Sequence, residues 1–149
     1  MTRAPSRLRR ERGQALVEFA VVGIVFLIVV FGVIDVGRAV WNYNTLAQAT
    51  REGTRYAIVH GARSSDPSGP GSPHFSAPGT DAMVTAEVEK YTAGLDTSAL
   101  TVEAEWLDGS NLVGGRIQVT SHYVYEPIFD FLGLISFSMT SSSTMRITY

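Results

Sequence analysis

From Phe19 to Ile34 the chain carries no charged or polar residue. With Ala15 to Val17 in front, the apolar segment is about 20 residues long, roughly 30 Å as a helix, which is the thickness of a bilayer core. A run of this kind predicts one membrane-spanning helix and restricts everything after it to a single domain on one side. The flanks set the direction. Arg3, Arg7, Arg9, Arg10 and Arg12 precede the run, whereas Asp35 and Arg38 cancel just beyond it, so the N-terminus stays cytoplasmic and the remainder is extracytoplasmic. An ordinary secretory signal has a shorter apolar core followed by a small-residue cleavage site, and Asp35-Val36-Gly37-Arg38 offers no such site.

One acid stands near the start of the run. A carboxylate on the lipid-buried part of a helix costs about 2.5–3.5 kcal/mol on insertion scales and is usually kept for a partner. Glu18 therefore has two readings. It lies about one turn inside the boundary and can snorkel to the headgroups, or it is held for a positive charge on another chain.

The residues around it, Arg12-Gly13-Gln14-Ala15-Leu16-Val17-Glu18-Phe19-Ala20, resemble the processing motif of TadE-like pseudopilins from Flp/Tad pilus systems, within the wider type IV pilin group. The resemblance implies that a prepilin peptidase cuts after Gly13, that Gln14 becomes the mature N-terminus, and that Glu18 is the acid fifth after the cut, followed by the aromatic Phe19. It continues through Phe31-Gly32-Val33-Ile34-Asp35-Val36-Gly37-Arg38-Ala39 and Ala49-Thr50-Arg51-Glu52-Gly53-Thr54-Arg55-Tyr56-Ala57, and covers about the first 60 residues. One departure is visible: members of that family often carry a proline in the apolar run, where this chain reads Val22-Gly23-Ile24.

The motif also has a chemical reading of its own. A protease at a membrane surface must hold the scissile backbone extended, and a glycine before the cut removes the Cβ that would obstruct it. Read alone, Gly13 is equally a plain helix start beside the bilayer. A new α-amine on Gln14 would lie one helical turn from Glu18, so subunits staggered by about a turn could pair amine with carboxylate in low dielectric.

The formal charge of −2 is split, with +4 on residues 1–12 and −6 on the rest. The basic end suits anionic lipid, and nothing in the distribution suggests nucleic acid. The chain has no cysteine, so an exported domain must be stabilised by packing or partners rather than disulfides.

These features divide the chain into a basic leader at 1–13, the transmembrane half of the helix at 14–35, and an extracytoplasmic domain at 36–149. One helix is expected from about Gln14 to Val59, its outer half amphipathic with Val36, Val40, Tyr43, Ala47, Thr54 and Ile58 near one face. Asp35 and Arg38 mark its exit from lipid and are spaced to pair. Arg51, Glu52 and Arg55 form a charged cluster that is either a solvated face or a contact to a neighbouring subunit. Pro67, Pro70, Pro73 and Pro78 among Gly, Ser and Asp predict a flexible surface loop over His60–Thr80 without regular structure. Thr80 or Asp81 then caps a short helix carrying Val84, Val88, Tyr91 and Leu95, with Gly94 as terminator.

Leu100, Val102, Ala104 and Trp106 alternate with polar residues as a strand, and Asp108-Gly109-Ser110-Asn111 turns it back. Arg116 to Tyr125 follows, with Ile117, Val119, Ser121, Tyr123 and Tyr125 on one face. The apolar stretch after Pro127, to Ile135, is too short to span and reads as a connector packed on the core or touching the membrane surface. Phe137 to Tyr149 alternates Met139, Ser141, Ser143, Met145, Ile147 and Tyr149 as a third strand. The expected fold is α+β: a long pilin-like helix packed on a small antiparallel sheet of about three strands, with one short extra helix.

No catalytic constellation emerges. His60, His74 and His122 fall on a helix end, a loop and a strand, without an H-x-x-x-H pair, a nucleophile elbow or a phosphate loop. Glu103 and Glu105 are successive outward positions of one strand, a solvated face. No catalytic residue, metal or cofactor is expected. Two functions remain. The first is a minor pseudopilin of the inner membrane whose partners are lipid, a prepilin peptidase, other pilins and Tad assembly proteins. The second is an uncleaved single-pass protein whose outer domain binds a ligand or scaffolds a secretion complex.

Overall fold

The computed structural model describes residues 7–77, 79–129 and 136–148, with the side chains of 7–12 and of Ala77 left aside. The elements in order are helix α1 (Arg7–Val59), strands β1 (Phe75–Ala77) and β2 (Thr80–Asp81), helix α2 (Ala82–Lys90), a single 3-10 turn at Thr97–Ala99, and strands β3 (Leu100–Trp106), β4 (Arg116–Tyr125) and β5 (Phe137–Arg146). The architecture is α+β, as expected.

Two units divide the chain at Gly37/Arg38. The first is helical from Arg7, so α1 begins seven residues before the expected start at Gln14. Its sequence explains the extension: Arg7-Leu8-Arg9-Arg10-Glu11-Arg12 are good helix formers lying after Pro5, and a single interior glycine costs a helix only about 1 kcal/mol. Along this unit the large apolar side chains, among them Leu16, Phe19, Phe26, Ile28 and Ile34, are exposed. By length and composition α1 can cross a membrane.

The second unit, Arg38–Tyr149, holds the core. Strands β3, β4 and β5 form an antiparallel sheet in sequence order, with Trp106 opposite Ile117 and Tyr125 opposite Phe137. The expected inward face of β4 is buried residue for residue, from Ile117 through Val119, Ser121 and Tyr123 to Tyr125. Period-two alternation fixes this because one face of each strand meets a hydrophobic layer and the other meets water. That layer comes from α1 and α2: Ala49, Ala57, Val84 and Val88 cluster with Ala104, Trp106, Ile117, Val119 and Ile147, while Leu46 joins Leu95, Tyr123, Tyr125 and Met139.

The buried face of α1 is only in part the expected one: Thr54 is buried and Ile58 packs against the core, as expected. Val40 and Tyr43 are exposed, and the buried positions are Asn42, Leu46, Ala49, Thr50, Thr54 and Ala57, with Gly53 also buried. Small residues at 49, 53 and 57 recur every fourth position and let the backbone approach closely. A Cβ on Gly53 would stand 2.3 Å from Val88 Cγ2. Thr50 and Thr54 are tolerated because their hydroxyls donate to the carbonyls of Leu46 and Thr50, each at 2.8 Å, leaving no unpaired donor.

The stretch expected to lack regular structure contains β1 and β2, which pair with each other, and Gly79 bridges to Ala104. It is tied at several points. Ser68 N–H donates to His60 O at 2.7 Å, Asn111 Nδ2 donates to Ser68 O at 2.8 Å, and Gly69 N–H donates to Asp81 Oδ2 at 2.7 Å. Gly69 is left-handed, with φ +86°, and lies against the Trp106 ring, where a Cβ would meet Cε2 at 2.3 Å. Phe75 meets that ring edge-on at 5.6 Å. Asp81 caps α2 as expected, accepting from Met83 and Val84 N–H at 3.0 and 3.2 Å. α2 ends at Lys90, before Gly94, whose φ of +85° turns the chain. The β3–β4 connection is clamped by Arg116, whose guanidinium donates to both carboxylate oxygens of Asp108, at 2.8 and 3.2 Å. The 130–135 part of the expected connector, residues 1–6 of the leader, and Tyr149 lie outside the described residues.

Candidate functional site

The four residues singled out for processing and register lie together on α1. Gly13 is inside the helix rather than at its start, and a Cβ there would meet nothing within 4 Å. The fold itself therefore makes no steric demand for glycine at 13. Interior glycine weakens the local helix by roughly 0.5–1 kcal/mol, which lowers the cost of unwinding the backbone at that point. Gln14 and Glu18 are one turn apart on one face, and Phe19 stands beside them, 77% exposed. Glu18 is exposed as well. Among the described residues it has no hydrogen-bond or ion-pair partner, so any counter-charge must come from outside this part of the chain.

Among the described residues, the second unit assembles no comparable cluster. His60 Nδ1 lies 2.9 Å from the carbonyl of Tyr56, with its ring stacked on the Tyr56 ring at 3.9 Å. His74 pairs with Asp66 at 3.1 Å, and His122 lies 2.9 Å from Thr140 Oγ1. Each histidine has its own local partner. Glu103 and Glu105 line an open groove with Gly79 and Thr80. Among the described residues no three His, Cys, Asp or Glu side chains gather as a metal site. The charged cluster on α1 resolves into an exposed Glu52–Arg55 pair at 3.8 Å, and Arg51 Nε donates to the Ala47 carbonyl.

Sequence reasoning missed a pair one turn apart at the start of the second unit. Asn42 is 3% exposed and its Nδ2 has no acceptor, and Arg38 Nη1 is likewise enclosed without one among the described residues. The Arg38 guanidinium sits over the Tyr125 ring, 5.6 Å from its centroid. A buried polar residue on the same helix stripe as Leu46 is the signal that would have found it.

Among the described residues, a helix able to span a membrane, bearing an exposed acid near its start, continues into the core of a small α+β unit. Residues 13–55 match the family model described as TadE-like protein, which is consistent with a TadE-like protein and with the resemblance read from the motif. The match opens at Gly13 and runs past Ala49 and Gly53 of the buried small-residue stripe to Arg55. No curated protein and no solved structure is significantly similar to the chain.

Proposed function

We propose that this chain is a minor pseudopilin of a Tad/Flp-type pilus. In this reading it sits in the bacterial inner membrane with its N-terminus in the cytoplasm. A prepilin peptidase cuts it between Gly13 and Gln14, and α1 then joins it to other pilins and Tad assembly proteins. The observation that carries the proposal is the family match over 13–55, which covers the exposed apolar helix and, at Ala49 and Gly53, most of the small-residue stripe that packs in the core. The role needs no catalytic group of this chain's own.

Energetics favour a paired Glu18 over a solitary one. At about 4 Å and an effective dielectric near 20, an amine and a carboxylate attract by roughly 4 kcal/mol. That is comparable to the ~2.5–3.5 kcal/mol cost of placing the acid in lipid, so pairing with a neighbour's freed Gln14 amine offsets the insertion penalty and sets axial register.

N-terminal sequencing of the protein from cells that hold the matching peptidase tests the cleavage. The first residue should be Gln14. A start at Met1 or Thr2 would overturn it and leave the second reading, an uncleaved single-pass scaffold.

A further inference from the structure

The end of the outer domain where Arg38 lies carries two features that packing leaves unexplained. One is the pair of enclosed donors, Arg38 Nη1 and Asn42 Nδ2, neither with an acceptor among the described residues. Desolvated N–H groups without acceptors are costly, more so on a guanidinium. The other is exposed apolar bulk at the same end: Trp41 at 68% and Ile128 at 60%, with Phe137 at 44%, its ring 5.1 Å from that of Tyr125, over which Arg38 lies.

We infer that this end is a binding site for an anionic phospholipid. A headgroup phosphate oxygen reaches the two donors when the half-buried Arg38 side chain shifts to uncover Nη1 and Asn42 Nδ2, and Trp41, Ile128 and Phe137 seat at the boundary between headgroups and acyl chains. Three physical points choose this occupant. A phosphate supplies both the charge and the acceptors that the two donors lack, and an arginine fork suits it. Tryptophan is the side chain most at home at the headgroup level, with its indole body in apolar surroundings and its N–H wet. Arg38 lies only four positions after Ile34, the end of the apolar run, so even a fully extended chain keeps the Arg38 backbone within about 14 Å of it. This inference rests on the reading of α1 as a membrane anchor.

The full chain in dodecyl maltoside micelles, titrated with dioleoyl phosphatidylglycerol or phosphatidylcholine and followed by native mass spectrometry, tests it. The expected result is saturable retention of phosphatidylglycerol over phosphatidylcholine, weakened about tenfold by Arg38→Gln and less by Arg38→Lys. Trp41→Ala, a change at an exposed position that should not disturb folding, should also weaken retention. Equal retention of the two lipids, an unaffected Arg38→Gln, or competition by inorganic phosphate as strong as by the lipid would each overturn the site. So would photo-cross-linking from position 41 in whole cells that captures a second protein chain and no lipid. Carbonate extraction of cell membranes separates the two levels. Wild type and Arg38→Gln should both stay in the pellet, whereas release of wild type would remove the anchor reading itself.

Discussion

Gly53→Ala adds one methyl group at the closest point between α1 and α2, and its outcome can be worked from the packing. The new Cβ would stand 2.3 Å from Val88 Cγ2, 3.7 Å from Val88 Cβ and 3.6 Å from the Val84 carbonyl oxygen. Carbon atoms pack at about 3.5–4.0 Å, so Val88 or a whole helix must retreat by more than an ångström. Val88 is fully buried and its χ1 is stiff. Overpacking of this kind costs about 1–3 kcal/mol, while alanine improves the helix by roughly 0.5–1 kcal/mol over glycine. The net effect should be a loss of about 1–2 kcal/mol. Val88→Ala alone should cost about 2 kcal/mol, since two methyl groups leave the core. In the double variant the clash is gone, so adding Gly53→Ala to Val88→Ala should restore about 0.5–1 kcal/mol. Urea unfolding in detergent, followed by fluorescence of the buried Trp106, gives all four corners of the cycle. If Gly53→Ala is neutral or stabilising with Val88 present, or costs the same in both backgrounds, the close approach is not what position 53 needs glycine for.

Asp81→Ala removes the cap of α2 and the acceptor for Gly69 N–H together. It should cost about 2–3 kcal/mol in urea unfolding and open the 60–80 stretch to limited proteolysis. Bonding to the Arg116 guanidinium and N–H holds the Asp108 carboxyl down at about 2. The stability from this contact is therefore present above the ordinary carboxylate range and lost as pH falls through about 2. Carboxyl NMR should place that midpoint, and Asp108→Asn should abolish acid loosening of the β3–β4 connection. A chain beginning at Val36 should be soluble and folded. One beginning at Gly61 lacks Leu46, Ala49 and Ala57 of the two core clusters and should aggregate, so a well-dispersed NMR spectrum from it would contradict the packing described. Gly13→Trp should block cutting, since the bulky side chain obstructs an extended backbone at the scissile bond, as a mass shift of the mature protein will show.

What was legible in the sequence was whatever a short-range pattern encodes. The inward face of β4 follows from strict alternation, and the Asp81 cap follows from one side chain ahead of an apolar helical repeat. The buried face of α1 was misread in part because a search for bulky apolar residues favours Val40 and Tyr43, whereas α2 and the sheet accept this helix through Leu46 and the small residues Ala49, Gly53 and Ala57. The 60–80 stretch looked structureless because its partners, Asp81, Trp106 and Asn111, come from later parts of the chain that no local pattern links to Ser68 and Gly69. The early start of α1 went unseen because Gly13 was given the role of boundary, and helix propensity on either side outweighs it. The match to the TadE-like model over 13–55 was legible in the residue types and spacing around Gly13 and Glu18. The Arg38–Asn42 pair was not, because arginine just past an apolar run reads first as a marker of where lipid ends.

The proposed function makes Glu18 an assembly contact, and a single charge deletion separates that role from an interfacial one. Glu18→Gln keeps size and polarity but deletes the charge. The account predicts a protein that still inserts and is still cut after Gly13, yet no longer co-purifies with its pilus partners from detergent extracts and supports few filaments. Wild-type recovery of partners with wild-type piliation would contradict it, leaving Glu18 an interfacial side chain with no part in register.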